Sequence, residues 1–225
     1  MSSLNFRAFR SAILGTLTMA AFLFIPAWTL DYWQAWAFMA TYVGSTAAIT
    51  IYLAKYDPKL LERRMRAGPR AEKEKSQKII MLFAVLGFAA LLIYPALDYR
   101  FGWSPVPASI SILGDTLVAL GFLAVFFVFR ANSYGASTIE IAEGQKVIST
   151  GPYAIVRHPM YAGALPLLIG AQLALGAWWG LFLVIPFIGV LIWRLLDEEK
   201  FLAKNLAGYL EYTNKVRYRL IPFIW

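Results

Sequence analysis

The 225-residue chain has no cysteine and a single histidine. Without thiols there is no disulfide framework, thiolate metal site, catalytic cysteine or palmitoylation site, and one imidazole excludes a histidine-rich metal centre. Charge is scarce as well. Only 15% of the residues are Asp, Glu, Lys or Arg, against 60% hydrophobic, where a soluble domain carries roughly 25% charged and 45–50% apolar. That balance excludes a soluble globular protein, and the 16 Phe, 12 Tyr and 8 Trp separate the chain from a disordered or fibrous apolar polymer. The sequence holds no internal repeat, no phosphate-cradling glycine loop after a strand, and no Ser/His/Asp order that points to hydrolysis. What is left is an all-α, polytopic membrane protein.

An apolar run of about 20 residues crosses a bilayer as a helix, and four such runs occupy residues 9–30, 33–54, 79–97 and 106–129. A fifth apolar block, 162–193, is longer than one crossing and shorter than two full ones. Its middle, Leu175-Gly176-Ala177-Trp178-Trp179-Gly180, combines the small residues of a turn with interfacial tryptophans. It therefore reads as a helical hairpin of two short or tilted crossings, kinked at Pro166 and Pro186, which makes about six membrane segments; one long tilted helix is the rival reading. Charge placement favours the hairpin. With both termini cytoplasmic, every one of the 21 Lys and Arg residues except Arg100 falls on the cytoplasmic side, as the positive-inside rule requires. A single helix would carry all the basic residues from Arg194 onward across the membrane. The net charge of +8 is thus a statement about topology and does not indicate nucleic acid. The N-terminal apolar run is too long for a signal-peptide core and is expected to stay as the first membrane helix, in what reads as a prokaryotic inner, cytoplasmic membrane.

The chain divides into residues 1–130, N-terminal membrane helices with a basic cytoplasmic loop at 55–78, and residues 131–225, where most of the unusual polar side chains lie. The basic loop reads first as a solvated connector touching anionic head groups, with substrate contact as the alternative. Asp115, inside the fourth run, reads first as a residue near the outer interface and second as a functional intramembrane acid. The second region places Gly151-Pro152-Tyr153 and Arg157-His158-Pro159-Met160-Tyr161 before the hairpin and Arg194, Asp197, Glu198 and Glu199 after it. Folding the hairpin brings these two stretches together at the inner face of the membrane. His-Pro disfavours helix at His158, so the next helix is expected to begin near Pro159 and to offer free backbone N–H groups to a polar ligand. His158 itself is open between a structural hydrogen bonder and a ligand contact. Arg194 and Glu198 share one helical face, whereas Glu199 is rotated by about 100°. These acids read either as a surface ion pair or, given three carboxylates directly after a span, as a holder for a cationic ligand.

In that order, Lys146-Val147-Ile148 with Gly151-Pro152-Tyr153, then Arg157-His158-Pro159-Met160-Tyr161, then Arg194 with Glu198-Glu199, and finally Tyr218-Arg219-Leu220-Ile221-Pro222, the chain resembles the isoprenylcysteine carboxyl methyltransferase family. The family consists of membrane-embedded methyltransferases related to phospholipid N-methyltransferases. The resemblance covers roughly residues 131–225. It implies S-adenosylmethionine as cofactor, bound in a cytosolic pocket by Lys146, Val147, Ile148, Tyr153, His158, Pro159, Met160, Tyr161 and Glu198. It implies Arg194 as the group orienting a substrate carboxylate, with Glu199 beside it as a further catalytic candidate. The implied reaction moves a methyl group to a lipid-like or small acceptor, most simply a carboxylate, and requires no metal. An amine or thiol acceptor would need a base, for which His158, Glu198 and Glu199 are the suppliers. Phospholipid N-methylation and small-thiol methylation stand as alternatives, as does an NADPH-dependent reductase of the sterol-reductase type, because those enzymes end in similar motifs.

Overall fold

A computed structural model describes residues 3–225. Among them are eight α-helices: α1 Ser3–Ala27, α2 Trp33–Tyr56, α3 Pro58–Met65, α4 Lys75–Phe101, α5 Ala108–Ala131, α6 Pro159–Ala174, α7 Gly180–Asn205 and α8 Tyr209–Lys215, with a 3-10 turn at Gly151–Ala154. Five of them, α1, α2, α4, α5 and α7, are long and apolar enough to cross a membrane, and α6 is a shorter apolar helix. Helix is the only way an open chain satisfies its backbone N–H and C=O groups in hydrocarbon, which is why hydropathy located these elements. The observed ends differ from the apolar runs for local reasons. Helix α4 extends beyond its apolar stretch at both ends, from Lys75 to Phe101. Helix α5 starts after Pro107, whose extended ψ of 145° precedes the first turn. Helix α1 stops at Ala27 because Trp28 turns into the left-handed region at φ 59°.

The block 162–193 is a hairpin. Helices α6 and α7 are joined by residues 175–179, with Gly176 at φ 75° making the turn. Pro166 and Pro186 lie within α6 and α7. At 1.5 Å per residue, α7 is about 39 Å long, more than the roughly 30 Å hydrocarbon core requires. Its last turns, from Arg194 to Asn205, therefore project past the apolar part. Helix α6 is only about 24 Å long by the same rise, so its first residues, which carry the His158-Pro159 start, sit close to the membrane.

Helices α5 and α6 pack through a glycine seam. Gly114 and Gly121 are seven residues apart on α5, as are Gly163 and Gly170 on α6, and seven residues are close to two helical turns. A Cβ at Gly114 would lie 2.2 Å from Ala174 N, and one at Gly170 would lie 2.7 Å from Gly114 O. Such backbone approach stands in for hydrophobic driving force where the surroundings are lipid. One apolar cluster, including Leu23, Tyr32, Phe38, Leu92, Val118 and Leu175, fills the end of the bundle near the hairpin turn. A second, with Leu53, Leu60, Leu61 and Phe129, lies at the other end. It fixes α3, which is also capped by Asp57, whose Oδ1 accepts from Leu60 N at 3.0 Å ahead of Pro58 at the first helical position. Asp115 is half-buried about two turns into α5.

Candidate active site

At the end of the bundle opposite the hairpin turn, a cavity of about 370 Å³ opens between the ends of the helices and the loops that connect them. Lys146, Val147 and Ile148 contribute from the loop after α5, Tyr153 from the 3-10 turn, His158, Pro159, Met160 and Tyr161 from the start of α6, and Arg194 and Glu198 from α7. Every residue to which the sequence assigned cofactor contact therefore lines one cavity, and Arg194 joins them. Glu199 does not. The 100° step between neighbours on a helix sends Glu198 into the cavity and Glu199 away from it.

The two carboxylates have different surroundings. Glu198 Oε2 accepts a hydrogen bond from Tyr161 Oη at 2.8 Å. Glu199 accepts from Arg157 Nε at 2.7 Å and from Arg219 Nε at 2.9 Å, and His158 Nε2 lies 3.2 Å from it. Arg157 also donates through Nη1 to Val216 O and Arg217 O at 3.3 and 3.4 Å. The backbone repeats the connection: Arg157 N donates to Tyr218 O at 2.9 Å and His158 N to Arg219 O at 3.0 Å. Glu199 is thus the hub that fastens the C-terminal segment over the Arg157-His158 stretch. Two charge-assisted bonds leave it poorly suited to act as a base.

Aromatic hydroxyls tie the remaining walls. Tyr153 Oη accepts from Asn132 Nδ2 at 2.9 Å, and Tyr212 Oη donates to Tyr153 O at 2.8 Å. Burial pushes the Tyr153 phenol up to about 12, with Glu198 adding to the effect, and burial likewise raises Tyr209 and Tyr212. All three stay protonated at neutral pH and serve as neutral donors and ring surfaces. Tyr209, Tyr212 and Val216 pack with Val147 and Leu202, so α8 carries the loop that closes the cavity.

Arg194 is buried and its guanidinium is already engaged. Nη2 donates to Glu72 Oε1 at 2.8 Å and to Ser137 O at 2.8 Å, and Nη1 donates to Gln77 Oε1 at 2.9 Å. Glu72 and Gln77 belong to the 55–78 connector and the start of α4, and both are buried. Glu72 also accepts from Ile139 N at 3.2 Å, while Asp197 accepts from Ser76 Oγ at 2.9 Å and from Gln77 Nε2. The basic loop is therefore only in part a solvated connector, since Arg64 lines the cavity and Glu72 is buried against Arg194 and Ile139, which line it. Their sequence signal was slight: an acid and an arginine within a charge run look like any other solvated residue. Among the described residues no group of three or more His, Asp or Glu side chains is placed to hold a metal ion.

Comparison with known proteins places this geometry in a family. A family model described as phospholipid methyltransferase matches residues 109–208, from the first turn of α5 to just past α7. A protein-S-isoprenylcysteine O-methyltransferase B of Arabidopsis thaliana is 30% identical over 160 residues, covering 67% of this chain and 75% of that protein. The chain belongs to the isoprenylcysteine carboxyl methyltransferase family. It is an integral membrane methyltransferase. A Delta(14)-sterol reductase of Mus musculus is also similar, 34% identical over 94 residues, which is 40% of this chain and 22% of the reductase. The methyltransferase thus spans about a fifth of the reductase's length and three quarters of its plant relative's. Arg64, which lines the cavity, and Glu72 and Gln77, which hold Arg194, lie outside residues 109–208, the segment that the family model covers.

Proposed function

We propose that this membrane methyltransferase uses S-adenosylmethionine and methylates the carboxylate of a lipid-like acceptor, of the isoprenylcysteine type named in its plant relative. The observation that carries this reading is Glu198: a carboxylate facing a cavity walled by tyrosines and hydrogen-bonded by the phenol of Tyr161. Such a group suits a cationic ligand with an aromatic ring system. A cavity of about 370 Å³ falls within the range of small-molecule sites. S-adenosylmethionine supplies a methyl group activated by a positively charged sulfur, so the chain need not provide a metal or a covalent nucleophile. Glu198 and Tyr161 would hold the ligand's positive region, Tyr153 would offer a ring face, and Lys146, Val147 and Ile148 would line one edge. His158, Pro159 and Met160 would line the edge nearest the membrane.

The protein's contribution is alignment and exclusion of water, which can lower a barrier by several kcal/mol. An acceptor carboxylate is ionised at neutral pH and needs no base, which agrees with Glu199 being committed to Arg157 and Arg219. In this reading Arg194 keeps the connector and the 137–139 segment in place through Glu72, Gln77 and Ser137 O. The site end of the bundle faces the cytoplasm of a prokaryotic inner membrane, with both termini on that side and Arg100 at the opposite end.

Membranes incubated with methyl-labelled S-adenosylmethionine test the proposal. Label released as methanol on mild base treatment supports a carboxyl ester. Label that stays in lipid after base points to N-methylation of a phospholipid, the acceptor class in the family model's description, and rejects the carboxylate acceptor. The similarity to a sterol reductase over 94 residues favours a nicotinamide dinucleotide as the second reading. Saturable binding of NADPH without binding of S-adenosylmethionine would establish that alternative.

A further inference from the structure

Among the described residues, the cations that line the cavity are ion-paired or exposed, with one exception. Arg157 is paired with Glu199, Arg194 with Glu72, and Glu140 with Lys73 at 3.4 Å. Glu198 has Tyr161, and Lys146 is exposed on its loop. Arg64 lines the same cavity, and among the described residues no carboxylate lies within ion-pair distance of it. Its guanidinium contacts are to neutral groups: Nη1 donates to Ala136 O at 3.1 Å and reaches Met160 Sδ at 3.5 Å, and its centre lies 4.9 Å from the middle of the Phe129 ring.

That arrangement is costly for a group that is partly buried. Burial, then the neighbouring charge of Arg194, pull the Arg64 pKa down, yet an arginine does not give up its proton in a protein. Cations taken out of water are ordinarily paired. The position is also not a loose surface one. Arg64 sits on α3, whose Leu60 and Leu61 are buried, and its own carbonyl accepts from Ser137 Oγ at 2.9 Å. The helix holds the guanidinium against the cavity whether or not a partner is there.

We propose that Arg64 is the carboxylate-binding residue of this cavity, taking the anionic group of a bound ligand in its planar fork. The identity of that ligand rests on the methyl-transfer reading above, which offers two carboxylates: the acceptor's and that of the methyl donor. Arg64 lies against Phe129, at the end of α5, and Met160, at the start of α6, both on helices that enter the apolar bundle, with Ala136 and Ser137 of the following loop on its other side. The acceptor, arriving from the bilayer side, is therefore the source the geometry favours. A guanidinium matches a carboxylate through two parallel N–H···O bonds, which an ammonium cannot reproduce.

Equilibrium binding to the full-length protein in detergent tests this without relying on turnover. Two ligand pairs are compared, each differing at one carboxylate: N-acetyl-S-farnesylcysteine against its carboxamide, and S-adenosylmethionine against its decarboxylated form. In wild type the farnesylcysteine acid is expected to bind roughly tenfold to a hundredfold more tightly than its amide, the range of a charge-assisted bond pair. Arg64→Gln is expected to abolish that preference while the amide binds as before, which also shows that the variant is folded. Should Arg64→Gln fail that control, Arg64→Lys carries the test, retaining the charge but losing most of the preference. If the preference is lost in the S-adenosylmethionine pair instead, Arg64 is still the carboxylate residue and its ligand is the donor. A preference that survives Arg64→Gln in both pairs, or its absence from wild type in both, overturns the proposal. Wild type that transfers label from S-adenosylmethionine yet shows no dependence on Arg64 rejects Arg64 alone, whereas wild type that binds neither S-adenosyl compound rejects the methyl-transfer reading.

Discussion

The two ends of the helix bundle are held by different forces. At the hairpin-turn end, neutral hydrogen bonds and packing dominate: Tyr32 Oη donates to Leu175 O at 2.6 Å, Gln172 Nε2 donates to Leu91 O at 3.0 Å, and Tyr32 stacks on Tyr99 at 4.1 Å. Asp98, a buried acid there, accepts from Ser104 Oγ at 2.6 Å. At the site end, buried and partly buried ion pairs join separate segments, Glu72 to Arg194 and Arg157 and Arg219 to Glu199. Short loops already fix how the helices meet at the first end, so little specificity is asked of the side chains. The second end must gather a long connector, a loop and a C-terminal segment around an opening, and ion pairs between fixed partners specify that gathering. The contrast also marks which end can change with a ligand, because the cavity bordered by Arg64, Arg194 and Glu198 lies there.

Substitutions can break or sharpen that contrast. The largest effect is expected from Arg194→Ala, which leaves Glu72 buried without its cation; breaking a buried pair in this way costs about 3–5 kcal/mol. Denaturant unfolding in detergent would measure it, and a loss below 1 kcal/mol would show that the site end does not depend on its ion pairs. Glu199→Gln keeps the shape but removes the charge shared by Arg157 and Arg219. A loss of about 1.5–3 kcal/mol is expected, together with faster proteolysis of residues 216–225 and weaker S-adenosylmethionine binding. Unchanged proteolysis would sever Glu199 from the closing of the C-terminal segment. Gly114→Ala drives a Cβ into the α5–α6 seam and is expected to destabilise by about 1–3 kcal/mol, read as a lower Tm. The smallest effect belongs to Tyr32→Phe, about 0.5–1.5 kcal/mol for one hydrogen bond. Cofactor affinity should stay at the wild-type value in that variant; a change would mean that the two ends are coupled.

Much of this architecture was legible from residue types. The hairpin at residues 175–179 was signalled by Gly176 beside Trp178 and Trp179, and the start of α6 by His158-Pro159. The cavity residues from Lys146 to Glu198 were found because the motifs that carry them are contiguous and lie on either side of the hairpin. The glycine seam was present as spacing, Gly114 with Gly121 and Gly163 with Gly170, but glycines seven apart do not say which helix they face. Arg64 and Glu72 were hidden among Lys55, Lys59, Arg63, Arg66, Arg70 and Lys73, where burial cannot be told from solvation. The sequence assigned Glu198 to cofactor contact and Glu199 to catalysis, but only their surroundings show that Glu198 faces the cavity and Glu199 is bound to Arg157 and Arg219.

From composition and order alone came the membrane class, the helical spans, the bias of basic charge to one side and the motifs of a methyltransferase family. Each follows from local physics, since hydrocarbon demands helix and each motif is short and continuous. Which carboxylate faces the cavity, which closes it, and which arginine stands without an anion were decided only by the tertiary fold. Those properties depend on partners 42 and 122 residues away, Glu199 for Arg157 and Arg194 for Glu72, and the worth of a charge is set by what surrounds it.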